Sequence, residues 1–183
     1  MAKIFVSNWI TLDGYFADKD GSTDWMSFDE EMGAFNLENL RDADTILFGR
    51  KTFEIMENYW PTDAAKQAYP EAYEYMNACK KHTFSKTMRS SGWQSSFHTA
   101  INRETIELIK SQTTKDIVVL GSGEISRQLH DLGLIDEYRL LLDPQFLGAG
   151  KLFFQDMKKE KLALQQHKAF GCGVVFLKYK VNH

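Results

Sequence analysis

Three stretches of the chain place glycines, short hydroxyls and cations where an apolar run breaks off, and that combination suits a phosphate. Gly49-Arg50-Lys51-Thr52 follows the short run Thr45-Ile46-Leu47-Phe48 and leads into a helical pattern. A helix N-terminus offers unpaired N–H groups and the positive end of the helix dipole. Thr52 can add a hydroxyl donor, Lys51 a charge, and Arg50 a fork that fits a phosphate. A first helical turn with two solvated cations explains the same residues, and spacing alone leaves both readings open. Gly121-Ser122-Gly123-Glu124 breaks the apolar run 117–120. Residues without a Cβ let a backbone approach a pyrophosphate closely, though glycine pairs also serve tight turns. A dinucleotide-binding Rossmann fingerprint needs a third glycine, and Ser126 stands in its place. Asp143 lies about 20 residues on, where a ribose-binding acid belongs, but too little chain follows it for a full Rossmann domain. Ser85-Lys86-Thr87 would clasp a further phosphate or simply turn the chain.

A fourth stretch, near the N-terminus, carries Asp13, Trp25, Asp29 and Glu30. Asp13-Gly14 reads by default as a turn, Trp25 as core, and Asp29 and Glu30 as caps of the helix that follows. His82, His98, His130, His167 and His183 show no HxxxH or HExxH spacing, so no metal site is expected. Cys79 and Cys172 lie far apart without a CxxC neighbour, which fits a reduced, cytoplasmic protein. The sequence offers no nucleophile with a nearby base.

The elements that must position these loops follow from apolar periodicity. Strands are expected at 3–9, 44–49, 81–85, 116–120 and 135–142. Helices are expected at 28–41, from Arg50 onward, at 63–79 with a break at Pro70, at 102–111 behind an Asn102 cap, and at 124–132. The helix 28–41 should bury Phe28, Met32, Phe35 and Leu40. Segments 161–169 and 174–180 read as a hairpin around Gly171-Cys172-Gly173. Strands alternating with helices imply an α/β fold, a mostly parallel central sheet flanked by helices. The C-terminal antiparallel hairpin would close one edge. Ligands bind such sheets beyond the carboxyl ends of the strands, where the loops described above fall.

Composition narrows the function. The formal net charge is −3 and basic residues occur only in short clusters, against a nucleic-acid surface. No apolar run approaches the roughly 20 residues that span a bilayer, and no membrane role is expected. The opening residues reach Asn8 too soon for a signal peptide. With three prolines in 183 residues and no break in composition, residues 1–183 read as one domain.

Taken in order, six strings carry a resemblance that runs over most of the chain. They are Leu12-Asp13-Gly14-Tyr15-Phe16-Ala17, Asp24-Trp25, Asp44-Thr45-Ile46-Leu47-Phe48-Gly49-Arg50-Lys51-Thr52, Val118-Val119-Leu120-Gly121-Ser122-Gly123, Leu134-Ile135-Asp136-Glu137-Tyr138 and Pro144-Gln145-Phe146-Leu147-Gly148-Ala149-Gly150. Together they resemble the dihydrofolate reductase superfamily, and within it stand-alone proteins similar to the reductase domain of the bacterial riboflavin-biosynthesis deaminase/reductase. The resemblance implies an eight-stranded, dihydrofolate reductase-like sheet with NADPH laid across its carboxyl edge. It assigns Gly49, Arg50, Lys51 and Thr52 to phosphates and Ser85, Lys86 and Thr87 to the adenosine 2′-phosphate. Gly121, Ser122, Gly123 and Glu124 would back the pyrophosphate and nicotinamide ribose. Asp13 and Trp25 would flank the nicotinamide and the substrate. Glu30, five residues after Trp25, would protonate or orient the ring, with Asp29 its rival. The implied activity is hydride transfer from NADPH to a small pterin, pyrimidine or related heterocycle, the 5-amino-6-(5-phosphoribosylamino)uracil reductase reaction among them. A nucleotide-binding module of the same fold without turnover is the alternative. The chain departs from riboflavin-pathway reductases at Ser7, where they carry Lys, and at Leu120-Gly121-Ser122, where they carry Glu-Gly-Gly. A homodimer is also implied, with the apolar strand 134–142 and the segment 146–154 open to a role at an interface or in the core.

Overall fold

The computed structural model describes residues 2–182. Strand β1 (Ile4–Thr11) is buried along nearly its whole length, as expected of a strand covered on both faces. It lies between β6 (Asp116–Leu120) and β7 (Glu137–Asp143), parallel to both. Beyond β6 come β3 (Ala43–Gly49), β4 (Lys80–Phe84) and the short β5 (Ser96–His98), all parallel. Beyond β7 the C-terminal pair β10 (Val175–Val181) and β9 (Leu162–Ala169) adds antiparallel, so the eight strands run β5-β4-β3-β6-β1-β7-β10-β9. The mostly parallel sheet with an antiparallel C-terminal pair is the α/β architecture expected from the sequence. A separate small pairing joins β2 (Tyr15–Ala17) to β8 (Lys151–Leu152).

The helices are α1 (Glu30–Leu40), α2 (Arg50–Tyr59), α3 (Asp63–Ala68), α4 (Pro70–Ala78), α5 (Arg103–Ser111) and α6 (Gly123–Asp131). Alternation along the strands assigns them to faces. Ile4, Val6, Leu47, Ile117 and Val119 pack with Ile106 and Ile109 of α5 and with Ile125 and Leu129 of α6. Phe5, Ile46, Phe48 and Val118 pack on the other face with Phe53 of α2 and Met76 of α4. Further along that face Met32 of α1 joins Leu141 and Phe176. Among the described residues no helix is long and apolar enough to cross a membrane.

Two expectations shift. The first helix begins at Glu30 because Asp29 caps it, so Phe28 falls outside. Phe28 is exposed and lies over Gly33, where a Cβ would collide with its ring. The short strands β2, β5 and β8 were not foreseen, since two or three residues are too few to show a period.

One register detail shapes the site. The pairing of β1 with β6 stops at Ser7 opposite Leu120, whereas its pairing with β7 continues to Thr11 opposite Asp143. From Asn8 onward, β1 therefore has no strand on its β6 side.

Candidate functional site

That missing stretch of strand opens a notch at the carboxyl end of the sheet, and a cavity of about 1040 Å³ fills it. The volume lies at the top of the range for small-molecule sites and leaves room for a dinucleotide beside a smaller molecule. Ser7, Asn8 and Trp9 of β1 form part of its wall. The starts of α2 and α6 form another part, through Gly49–Thr52 and Gly121–Glu124, and Ser85 and Lys86 after β4 line it too.

Close approach of two loops explains the glycines. The N–H of Gly49 donates to Ser122 Oγ at 3.1 Å, and a Cβ at Gly49 would fall on that same oxygen. Gly121 takes a left-handed φ of 60°, and a Cβ there would meet Thr52 Cγ2 at 3.4 Å. A Cβ at Gly123 would press on the Phe16 ring at 3.1 Å. The two helix starts differ from most others in the molecule. Helices α1, α3 and α5 are capped by the side chains of Asp29, Thr62 and Asn102. No side chain caps α2 or α6, so at this wall the first-turn N–H groups lack a side-chain acceptor.

Charge and polarity around the cavity are uneven. Arg50 Nη1 donates to both carboxylate oxygens of Glu54, at 2.7 and 2.9 Å, which ties it to its own helix. Lys51 and Lys86 are exposed at the rim. Glu124 is bound by Arg127 at 2.6 Å and Gln128 at 2.7 Å, and the Arg127 hydrogen bond leads in holding its carboxyl below the usual range. Two buried donors on β1, Asn8 Nδ2 and Trp9 Nε1, have no hydrogen-bond partner. Buried polar atoms are nearly always paired, so two unpaired ones in successive residues of the wall are exceptions to the rule. On the Phe5 face the cavity continues between α1 and α2, lined by Asn36, Leu40, Met56, Trp60 and Met76.

The structure brings together Gly49, Arg50, Lys51, Thr52, Ser85, Lys86, Gly121, Ser122, Gly123 and Glu124 around one cavity. Thr87 does not line it; its N–H turns back to Ser85 Oγ at 3.2 Å. The N-terminal carboxylates lie apart from it as well. Asp13 accepts from Thr11 Oγ1 at 2.5 Å and from the N–H groups of Leu147 and Gly148 at 3.2 and 2.8 Å. Desolvation opposes ionisation there, but those hydrogen bonds outweigh it and hold the Asp13 carboxyl below its ordinary value. Its role in this geometry is to tie the β1–β2 turn to the loop after β7. Asp29 caps α1 through Met32 N at 2.7 Å and also receives Cys172 N at 2.8 Å, two bonds that lower its pKa. Glu30 opens α1 and is exposed. Trp25 offers its carbonyl to Gln145 and buries an unpartnered Nε1, yet it too is absent from the cavity wall. Asp143, the acid of the Rossmann alternative, is fully buried and bound by Ser27 N and Gln145 Nε2 at 2.7 and 2.6 Å.

Sequence reasoning missed Asn8, Trp9 and Asn36. The available signal was an amide in the middle of an apolar strand, where a buried polar group needs a reason.

Relatives of known sequence and structure agree with this architecture. The chain is 33% identical to YyaP of Bacillus subtilis (strain 168), an uncharacterized protein, over 181 residues that cover 98% of this chain and 95% of that one. It is 27% identical to a second uncharacterized protein of that strain, YwjB, over 90% of each. A putative riboflavin biosynthesis protein from Shewanella sp. PV-4 shares the fold with a TM-score of 0.75 at 19% identity, each chain covered in full. A diaminohydroxyphosphoribosylaminopyrimidine deaminase/5-amino-6-(5-phosphoribosylamino)uracil reductase from Thermotoga maritima matches with a TM-score of 0.71 at 13% identity, over 99% of this chain and 57% of that longer one. A family model, the RibD C-terminal domain, matches residues 2–176, and the chain belongs to that family.

Proposed function

We propose that the protein is an NADPH-dependent reductase whose cofactor lies in the notch at the carboxyl end of the sheet. One observation carries this reading: two helix starts without side-chain caps and a glycine turn in the left-handed region face the same cavity. Uncapped N–H groups at adjacent helix starts suit the two phosphates of a pyrophosphate. The glycines leave space that a Cβ would fill, which lets a dinucleotide approach the backbone. The residues present therefore fit the cofactor. Lys86, beside the buried Ser85, supplies the charge for a 2′-phosphate, and Lys51 supports the pyrophosphate. The amide side chain of Asn8 lines the cavity next to the Gly121 turn, where a carboxamide or ribose would lie. Family membership supports a reductase-type role. When bound, NADPH supplies a hydride to an unsaturated ring carbon, and a proton from water completes the reduction.

Binding is tested by thermal shift. NADPH at 100 times its Kd should stabilise the fold by about 2.7 kcal/mol. For a chain of this size that raises Tm by roughly 5–10 °C. No shift with NADPH, NADP+ or NADH would overturn the reading.

A binding module without turnover is favoured by a different observation. Among the described residues, the carboxylates on the cavity wall are Asp24 and Glu124, both exposed. Neither is a buried acid of the kind that protonates a substrate. Oxidation of NADPH across pterins and pyrimidines, 5-amino-6-(5-phosphoribosylamino)uracil included, separates the two. Turnover on any of them identifies the enzyme; a thermal shift without turnover supports the module.

A further inference from the structure

We propose that Arg89 is a positioning residue: its guanidinium holds the loop 85–88 in the shape that receives a phosphate monoester, and so sets a preference for a 2′-phosphorylated adenosine nucleotide. This inference rests on the nucleotide reading above and adds the residue that shapes its phosphate end. Arg89 is not on the cavity wall; it acts from behind the loop that follows β4. Its Nη1 donates to the carbonyls of Ser85 at 3.1 Å and Met88 at 3.0 Å, and its Nη2 to the carbonyl of Lys86 at 2.7 Å. Arg41, Arg50, Arg127 and Arg139 each meet a carboxylate. Arg89 has no acidic partner among the described residues and gathers three carbonyls of one turn instead. Residues 75–103 contain no Asp or Glu. The acid that does touch this stretch, Glu57, is taken up by Ser91 and by the N–H of Trp93.

That arrangement suits an anion. A carbonyl oxygen is the negative end of its dipole, and a loop that receives phosphate must turn such oxygens away from it. The fork of Arg89 draws three of them to one point. The N–H groups of Thr87 and Met88 are drawn in turn to Ser85 Oγ, at 3.2 and 2.8 Å. A serine hydroxyl has two acceptor lone pairs and one proton. With both lone pairs occupied, the Ser85 hydroxyl has only its proton left to offer, and Ser85 lines the cavity. The Ser85 N–H donates to the His98 carbonyl at 2.8 Å, which fixes the start of the loop to β5. Lys86 also lines the cavity and has no ion pair among the described residues. Its charge is therefore free for a phosphate monoester, which carries about −1.5 to −2 at neutral pH. Arg89 acts through the turn that carries Ser85 and Lys86.

Adenosine 2′,5′-bisphosphate and adenosine 5′-monophosphate differ by one 2′-phosphate, and both are titrated calorimetrically into the whole protein beside NADP+. Wild type should bind the bisphosphate about tenfold more tightly than the monophosphate, or better. Arg89→Met, which keeps a long side chain and removes the fork, should shrink that preference about fivefold and leave the monophosphate within about twofold. Lys86→Met should shrink the preference as well. The double variant should lose less than the product of the two single losses, because Arg89 acts through the turn that holds Lys86. An unchanged preference in Arg89→Met would overturn the proposal. So would NADP+ binding to wild type with no preference for the bisphosphate. A double variant whose loss equals the product would make Arg89 an independent charge and would overturn its positioning role. An Arg89→Met protein that loses both probes alike would assign Arg89 to the fold instead. Absence of NADP+ binding to wild type would remove the nucleotide reading and this inference with it.

Discussion

At the scale of single residues, the glycines at the loop crossing and the buried ion cluster give opposite kinds of constraint. Gly49 has no room for a methyl group, because Ser122 Oγ occupies that position. Gly49→Ala should cost about 1–3 kcal/mol of stability through overpacking, and should weaken NADPH by displacing the uncapped start of α2. Chemical denaturation and NADPH titration check both; wild-type values in each would contradict the close approach. Away from the cavity, at the start of β7, Glu137 meets Arg139 at 2.9 Å, Lys3 at 3.1 Å and Lys178 at 3.3 Å. Arg139 also stacks 3.7 Å over the Phe5 ring. Burial alone would raise the Glu137 pKa, but the hydrogen bonds from Arg139 and Lys3 outweigh it and bring it down to about 2. A depressed carboxylate stabilises the fold above its unfolded pKa, about 4.3, and loses that contribution as pH falls toward 2. Glu137→Gln should therefore be clearly less stable than wild type at pH 7, with the gap narrowing between pH 4.5 and 2. A gap independent of pH would contradict this.

At the scale of elements, strands carry most of what the sequence alone made legible. Long apolar runs announced β1, β3, β6 and β7, and glycine after such a run announced the loops that line the cavity. The chemistry at α1 was not legible in the same way. Asp29 bonds residues 32 and 172 at once, and no local pattern shows the second contact. Nor could the sequence show that β6 ends four residues before β1 does, which is what turns Asn8 and Trp9 from core residues into cavity wall. The β4–β5 edge carries its own pH dependence. His82 Nδ1 and His98 Nε2 lie 2.9 Å apart with stacked rings. Burial first, then the neighbouring His98 and Lys80, brings the His82 pKa down to about 4. A depressed histidine is neutral in the fold, so the unfolded chain takes up its proton first as pH falls. Stability should then fall as pH drops from about 6.5 to 4. His82→Gln should flatten that slope in denaturation midpoints; an unchanged slope would show that other groups cause it.

For the whole molecule, the edge strand β9 exposes two leucines beside the polar Gln165, Gln166 and His167. Strand β7 is spent in the core, with Tyr138, Leu140 and Leu141 buried, so it offers no interface. Leu162 and Leu164 of the edge strand β9 are exposed, as are Leu152 and Phe154. Exposed apolar residues on an edge strand favour pairing with a second copy. Sedimentation velocity should find a dimer that Leu164→Lys weakens; a monomer at micromolar concentration would contradict it. The cavity itself is tested most directly by titrating isotope-labelled protein with NADPH and following backbone amide shifts. Saturable changes confined to residues 50–52, 85–86 and 121–124, with Asn8 among the side-chain amides that move, are the expected result. Saturation without those shifts, or shifts centred on the β9–β10 edge, would mean that the notch is not where the nucleotide goes.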